Sequence, residues 1–420
     1  MEVKPGYLCP KGYKQTEVGA IPEEWEVKRF CEIGKLSKGK GLLKEDIKRS
    51  GSIPAIPYTA LYTDYSEVLD YSLIKWFIDD ESQSVIVREP CLLLASSSNM
   101  EANTGKASAL VGNTPVAIGR EIIVFKTSSD CKFISYLLST ASYRRKTLTL
   151  ARGTTIKHVY PATFHGYQVA LPPIPEQRAI AEALSDVDAL LGGLDRLIAK
   201  KRDIKQAAMQ QLLTGQTRLP GFHGEWEVKR LGSIADILKG SALSKSLTTT
   251  SGARRCILYG ELFTTYGRVI SDVFGRTNSS EGCPSMQGDV LMPGSTTTTG
   301  IDLATASALL MDDVALGGDI IIIRRKGDAY DSVFLSNYLT QARRQQIAEL
   351  TQGITIHHLY GKDLKTLALE LPPVPEQTAI AEVLTEMDAE LAGLEQRREK
   401  TRALKQAMMQ ELLTGRTRLA

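Results

Sequence analysis

The chain has 420 residues, with 51 Lys and Arg against 48 Asp and Glu, so its formal net charge is only +3. That length accommodates two or three domains, each with its own core, and no apolar run approaches the roughly 18 residues that would span a bilayer. The small net charge leaves a polyanionic partner to be decided by local basic patches.

From the N-terminus, MEVKPGYLCPKGYKQ mixes charges, prolines and polar residues and has no apolar stretch like the core of a secretory signal, so a cytoplasmic location is expected. EWEVKR (Glu24–Arg29) alternates charge as an exposed strand does. The runs SVIVREPCLLLAS and REIIVFK predict strands, and a helix is expected around Phe133–Arg145. LPPIPEQRAIAEAL then opens a segment with apolar residues at Ile180, Leu184, Val187, Leu191, Leu194 and Ile198, a heptad seam. Pro175 suits a first helical turn, Glu176 complements the positive end of the helix dipole, and Gly215 is the expected C-terminal cap. A helix from about 176 to 213 would run roughly 55 Å at 1.5 Å per residue.

The chain then repeats itself. EWEVKR returns at Glu225–Arg230, ILYGELFTTY (Ile257–Tyr266) answers IPYTALYTDY (Ile56–Tyr65), and GITIHHLY at Gly353 answers GTTIKHVY at Gly153. GDVLMPGS and GDIIIIRRK predict strands and Val333–Leu350 a helix, before LPPVPEQTAIAEVL at Leu371 begins a second constant segment. Its seam is Ile380, Leu384, Met387, Leu391 and Leu394, with Leu404 and Leu412 beyond. Arg397 and Arg398 replace Leu197 and Ile198 and are expected to weaken the seam, while Gly192–Gly193 and Ala392–Gly393 mark a close approach or a soft point.

The fold expected is therefore α/β (α+β): two mixed, mostly β domains separated by two long antiparallel helices, in a tandem repeat with pseudo-two-fold symmetry. The divisions are 1–170, the first globular domain; 171–222, the central helix; 223–370, the second domain; and 371–420, the C-terminal helix.

Neither half shows a catalytic signature. NTGKAS at Asn103 lacks the leading glycine and the Ser/Thr after lysine of a phosphate loop, there is no GxGxxG, and the Glu-x-Lys of EWEVKR has no Pro-Asp before it. The Asn/Asp-Pro-Pro-aromatic motif of an amino-methyltransferase is missing, since the Pro-Pro pairs sit in LPPIP and LPPVP. The six cysteines are widely spaced, and the five histidines have no partners at metal-ligand spacing, so no metal is expected.

What remains are polar loops interleaved with basic and aromatic residues, the composition that phosphate contact and base-edge readout require. The candidate DNA-binding residues in the first half are Lys38, Lys40, Tyr62, Tyr65, Ser97, Asn99, Thr155, Lys157 and His158. In the second they are Lys239, Ser241, Phe263, Tyr266, Thr296, Thr297, Thr355, His357 and His358. A coiled-coil adaptor with no DNA role, or a self-contained nuclease or methyltransferase, are the competing readings.

YKQTEVGAIPEEWE, ILYGELFTTYG, GDVLMPGS and above all the doubled LPPIPEQRAIAEAL…QQLLTGQTRLPGF resemble the specificity subunit of type I restriction–modification systems, over essentially the whole chain. The resemblance implies two target-recognition domains, each reading one half of a bipartite double-stranded DNA site. It implies helices that set the gap and dock two methyltransferase subunits, with restriction/translocase subunits added for cleavage. S-adenosylmethionine and ATP would then belong to those partners, leaving this chain no cofactor of its own. One departure is that Ile56–Tyr65 lacks the Gly260–Glu261 pair of its repeat partner.

Overall fold

The computed structural model describes residues 9–80, 84–112 and 114–419, so the N-terminal targeting reading falls partly on residues outside that set. The chain divides into two compact units, one made of 1–195 with 397–420 and the other of 196–396. These divisions cut through both constant segments rather than following their edges. Each constant segment is one unbroken helix, α1 (Ile174–Leu212) and α2 (Val374–Leu412).

In the first unit a five-stranded sheet has the order Gly34–Lys38, Ile122–Thr127, Cys91–Ala95, Ala107–Val111, Val68–Asp70; only the last pair is parallel. Cys91–Ala95 and Ile122–Phe125 are buried along their whole length, which is why they read as continuous apolar runs rather than alternating ones. One side packs against Phe133, Tyr136, Phe164 and Tyr167; the other faces Ile56 and Ile118 of a second, four-stranded sheet and Leu61 of the one-turn helix Ala60–Thr63.

The second unit repeats this order and these senses in Ala235–Lys239, Ile320–Arg325, Asp289–Pro293, Ser307–Leu309 and Val269–Ile270. Only the EVKR of EWEVKR forms a largely exposed strand in each unit, Glu26–Arg29 and Glu227–Arg230, paired with the strand that leads into the long helix, while Trp25 before the first is fully buried.

Each expected domain helix is in fact two. Cys131–Ser139 and Ala141–Leu150 meet at Thr140, whose extended ψ of 148° and hydroxyl bond to the Leu137 carbonyl end one helix and begin the next. Ser332–Gln341 and Arg344–Glu349 are separated at Ala342–Arg343 by a different turn, in which Ala342 stays helical and Arg343 has ψ 8°.

The PPxPEQ motif is a bracket. Buried Gln177 accepts from the Asp130 amide at 3.0 Å and donates to the Pro172 carbonyl at 2.8 Å, while Asp130 caps its helix by accepting from the Phe133 amide. Gln377, Pro372 and Asp331 repeat the arrangement at 3.0 and 2.8 Å. Glu176 accepts from Arg418 at 2.6 and 2.8 Å and from the Trp25 indole at 3.3 Å; Glu376 is held by Arg218. The glutamate that opens each constant segment is therefore gripped by the TRL arginine that closes the other copy. Gly215 and Gly415, at φ +71°, let the chain leave each helix toward that arginine.

The seam differs from its expected form. Ile180 and Leu184 lie in the first domain's core with Leu412 and Leu413, and Ile380, Leu384 and partly buried Met387 in the second's with Leu212 and Leu213. Leu194 and Ile198 are buried, Val187, Leu191, Leu391 and Leu394 only partly, and Leu404 is 56% exposed. Charge takes over in the middle of the helices. In the first unit Lys405 meets Asp188 at 2.7 Å and Arg398 meets Asp195 at 3.3 Å; in the second, Lys201 meets Glu390 at 2.7 Å and Lys205 pairs with Asp388. Numbers rising on α1 meet numbers falling on α2, so the helices are antiparallel within each unit. Arg398 thus joins the pairing by charge, and Arg397 replaces a leucine that is itself exposed. A methyl added at Gly193 or Gly393 would meet nothing within 4 Å, so these glycines mark no close approach.

Candidate nucleic-acid interface

Each unit carries a cleft at the same place in its fold, where the end of a central strand and the hairpin before the long helix meet a short aromatic-bearing turn. In the first unit it holds about 1080 Å³ and is lined by Tyr58, Tyr62, Trp76, Ser97, Asn99, Glu121, Ile156 and His158. In the second it holds about 830 Å³, lined by Tyr259, Phe263, Tyr266, Thr296, Thr297, Asp319, Ile356 and His358.

The walls are built by short pairings. Ser97 and Ser98 pair with His158 and Lys157, as Ser295 and Thr296 pair with His358 and His357. Tyr58 and Tyr62 meet edge-on at 6.2 Å, Tyr266 stacks on Phe274 at 6.1 Å, and the Arg49 guanidinium lies 3.7 Å above the Trp76 ring. Such half-exposed aromatic faces suit stacking and apolar contact with nucleotides.

A carboxylate lines each cleft. Glu121 accepts from Lys38 at 3.2 Å and Ser96 at 3.0 Å; burial pushes its pKa up, but these donors outweigh it and hold the group below its usual range. Asp319, at φ +61°, accepts from Ser295 at 2.6 Å and pairs with Lys239 at 3.2 Å; the Ser295 hydrogen bond and then the lysine hold its pKa low against burial. A fixed carboxylate is an acceptor for the exocyclic amino group of a base.

The clefts bring together Tyr62, Ser97, Asn99 and His158, and Phe263, Tyr266, Thr296, Thr297 and His358. Lys38 and Lys239 join through their carboxylates. Thr155, Lys157, Thr355 and His357 stand on the adjoining hairpins, and Lys40 is exposed just beyond the Lys38 strand. Two candidates lie elsewhere. Tyr65 is a core residue, 7% exposed, whose hydroxyl accepts from the Lys75 amide. Ser241 is exposed but accepts from the Gly282 amide, bonded to the loop that leads into the other sheet. Tyr58, Trp76, Glu121, Tyr259 and Asp319 are cleft residues that the candidate set lacks; the repeat sets Glu121 against Asp319, each directly before a strand, Ile122–Thr127 and Ile320–Arg325.

Among the described residues no group of His, Cys, Asp or Glu could hold a metal ion, all six cysteines are free, and no helix is long and apolar enough to cross a membrane.

Two topologically matched domains with polar, aromatic-edged clefts, fastened to paired helices, define a modular recognition protein. The type I restriction modification DNA specificity domain matches residues 22–199 and again 223–402, and the chain belongs to that family. It is a specificity subunit, a DNA-recognition component rather than a catalytic one. A similar protein is the putative type I restriction enzyme MjaX specificity subunit of Methanocaldococcus jannaschii, 23% identical with 97% of each chain covered. The MjaVIII specificity subunit of the same organism is 24% identical over 97% of this chain and 96% of that one. The type I restriction-modification S subunit from M. genitalium has the same fold, with a TM-score of 0.57 at 15% identity over 92% of this chain and 96% of that one.

Proposed function

We propose that each domain reads one half of a bipartite double-stranded DNA site through its cleft, with α1 and α2 setting the gap and offering docking surfaces to two methyltransferase subunits. Restriction/translocase subunits complete the assembly for cleavage in the cytoplasm, and S-adenosylmethionine and ATP reside on those partners, none on this chain. The observation that carries this reading is the contrast inside each unit. The brackets, the strand order and the helices repeat nearly unchanged, while the clefts hold different side chains: Tyr62 against Phe263, Asn99 against Thr297, Glu121 against Asp319. A shared frame with divergent cleft walls is what two readers of different half-sites require.

The test is methylation mapping of DNA from cells expressing this chain with a cognate methyltransferase, then with residues 24–165 exchanged for another family member's block. A bipartite modified site should appear and change in one half only. Change in both halves would end the modular reading; no chain-dependent methylation, with the two proteins associated, would favour an adaptor.

A further inference from the structure

The hairpins before the long helices stand apart from the rest of the clefts, because they are more alike between the domains than the other cleft walls: five of nine positions are identical between RGTTIKHVY over 152–160 and QGITIHHLY over 352–360. Their backbones are locked. Arg152 and His158 exchange both amide bonds at 2.8 and 2.7 Å, and Gln352 and His358 at 2.9 and 2.7 Å. Gly153 and Gly353 sit at φ +107° and +114°, where an added Cβ would lie 2.1 and 2.0 Å from the carbonyl oxygens of Ile156 and Ile356, so no other residue fits either turn. The closing histidine stacks beside Tyr160 at 6.3 Å and Tyr360 at 6.1 Å, both pairs at 19°.

These rigid hairpins hold isoleucines out in water. Ile156 and Ile356 are 48% and 47% exposed and line the clefts, and Ile354 at the second tip is 95% exposed. Beside them are the exposed hydroxyls of Thr155 and Thr355 and the part-exposed Lys157 and His357. No core needs these side chains, and a turn serving only to connect would have no use for an apolar, rigid tip. The set common to both hairpins, Thr155 with Thr355, Ile156 with Ile356 and His158 with His358, sits at clefts whose other walls differ, so it does not account for a difference in the half-sites the two domains would read. It suits what every duplex presents: deoxyribose faces, the edge of the base stack, and phosphates.

We propose that the hairpins at 152–158 and 352–358 are a sequence-blind grip on duplex DNA, in which Ile156 and Ile356 press on the sugar and stack edge and the neighbouring Thr and basic side chains hold the phosphates. This rests on the DNA-reading role of the clefts. It separates two tasks inside each domain: the cleft aromatics and carboxylate choose the base pairs, and the hairpin supplies affinity and register whatever the sequence.

The experiment uses the full chain in complex with its methyltransferase, a duplex carrying the site found by methylation mapping, and a duplex of scrambled sequence. Ile156→Ser and Ile356→Ser should each weaken binding to both duplexes by a similar factor, roughly tenfold for loss of a half-buried isoleucine contact. The methylated sequence should stay the same, and Ile356→Val should restore most of the affinity. An altered methylated sequence would show the hairpin to be a base reader, and unchanged affinity would show it to be a solvated turn; either overturns the proposal. Failure of the unaltered complex to prefer its site would instead remove the recognition role itself, and is seen before any variant is made.

Discussion

Replacing Arg418 by alanine removes the donor pair that Glu176 receives near the end of the chain, and the geometry fixes how much this should matter. The Glu176 side chain is only 6% exposed, and Arg418 reaches both its oxygens, at 2.6 and 2.8 Å. Leaving a buried carboxylate without its cation costs about 3–5 kcal/mol. Two facts lower this: the Arg418 side chain is 31% exposed, so water can follow it out, and Trp25 continues to donate at 3.3 Å. About 2 kcal/mol is the expected loss, which in a unit of this size lowers the melting temperature by roughly 4–8 °C. The second bracket supplies an internal comparison. Glu376 is 1% exposed, and the Trp226 indole finds no partner among the described residues, so Arg218→Ala strands its carboxylate more completely and should destabilise more. Scanning calorimetry of the single variants and of Glu176→Met/Arg418→Met, in which both charges are gone and most of the loss should be recovered, completes the measurement. An Arg418→Ala protein melting within a degree of the unaltered chain would make the contact an ordinary surface ion pair and refute the bracket.

Two further outcomes follow from the same physics. Gly193→Ala and Gly393→Ala should each stabilise by about 1 kcal/mol, because both glycines lie inside unbroken helices with open space at the Cβ; loss of stability in thermal melts would mean the helices need flexibility there. Asp319 has a folded-state pKa below its unfolded value, so the stability it lends is present above about pH 4 and lost as pH falls through the folded value. Asp319→Asn should therefore flatten the acid limb of a denaturant-midpoint profile between about pH 2 and 6, and an unchanged limb would remove Asp319 from the account.

The duplication, the buried strands and the long helices are legible in the sequence because each is a local pattern repeated twice. Three things are not. A 3,4 spacing of apolar residues shows that a helix has a buried face but not what covers it, so Ile180 and Leu184 read as a helix seam when the domain core also takes them. The pairing of Asp195 with Arg398 and of Lys201 with Glu390 depends on the register of two helices about 200 positions apart, which no short-range pattern records. Tyr65 reads as an interface aromatic beside Tyr62, yet the one-turn helix at Ala60–Thr63 leaves Tyr62 in the cleft and places Tyr65 in the core, at 7% exposure.

The joints between domain and helix combine one constant charge pair with domain residues that differ between the units. Lys405 and Lys205 are repeat partners, as are Asp188 and Asp388, so each unit has the same charge pair on its helices. The domain side differs. In the first unit Glu67 approaches Lys405 at 3.4 Å, and Tyr136, with the lysine 5.3 Å from its ring centre, donates to Asp188 at 2.7 Å. The corresponding residues of the second are Arg268 and Asn337, hydrogen-bonded to each other at 3.0 Å, with burial pushing the guanidinium pKa down. A carboxylate beside Lys405 adds to its neutralisation; a guanidinium in the equivalent place relies on the aspartate standing on the helix. The same Lys–Asp pair thus stands beside a carboxylate in the first unit and near a guanidinium in the second. Glu67 and Tyr136 both lie within 24–165, so in the proposed exchange of that block the residues that fit the domain to its helix travel with its cleft.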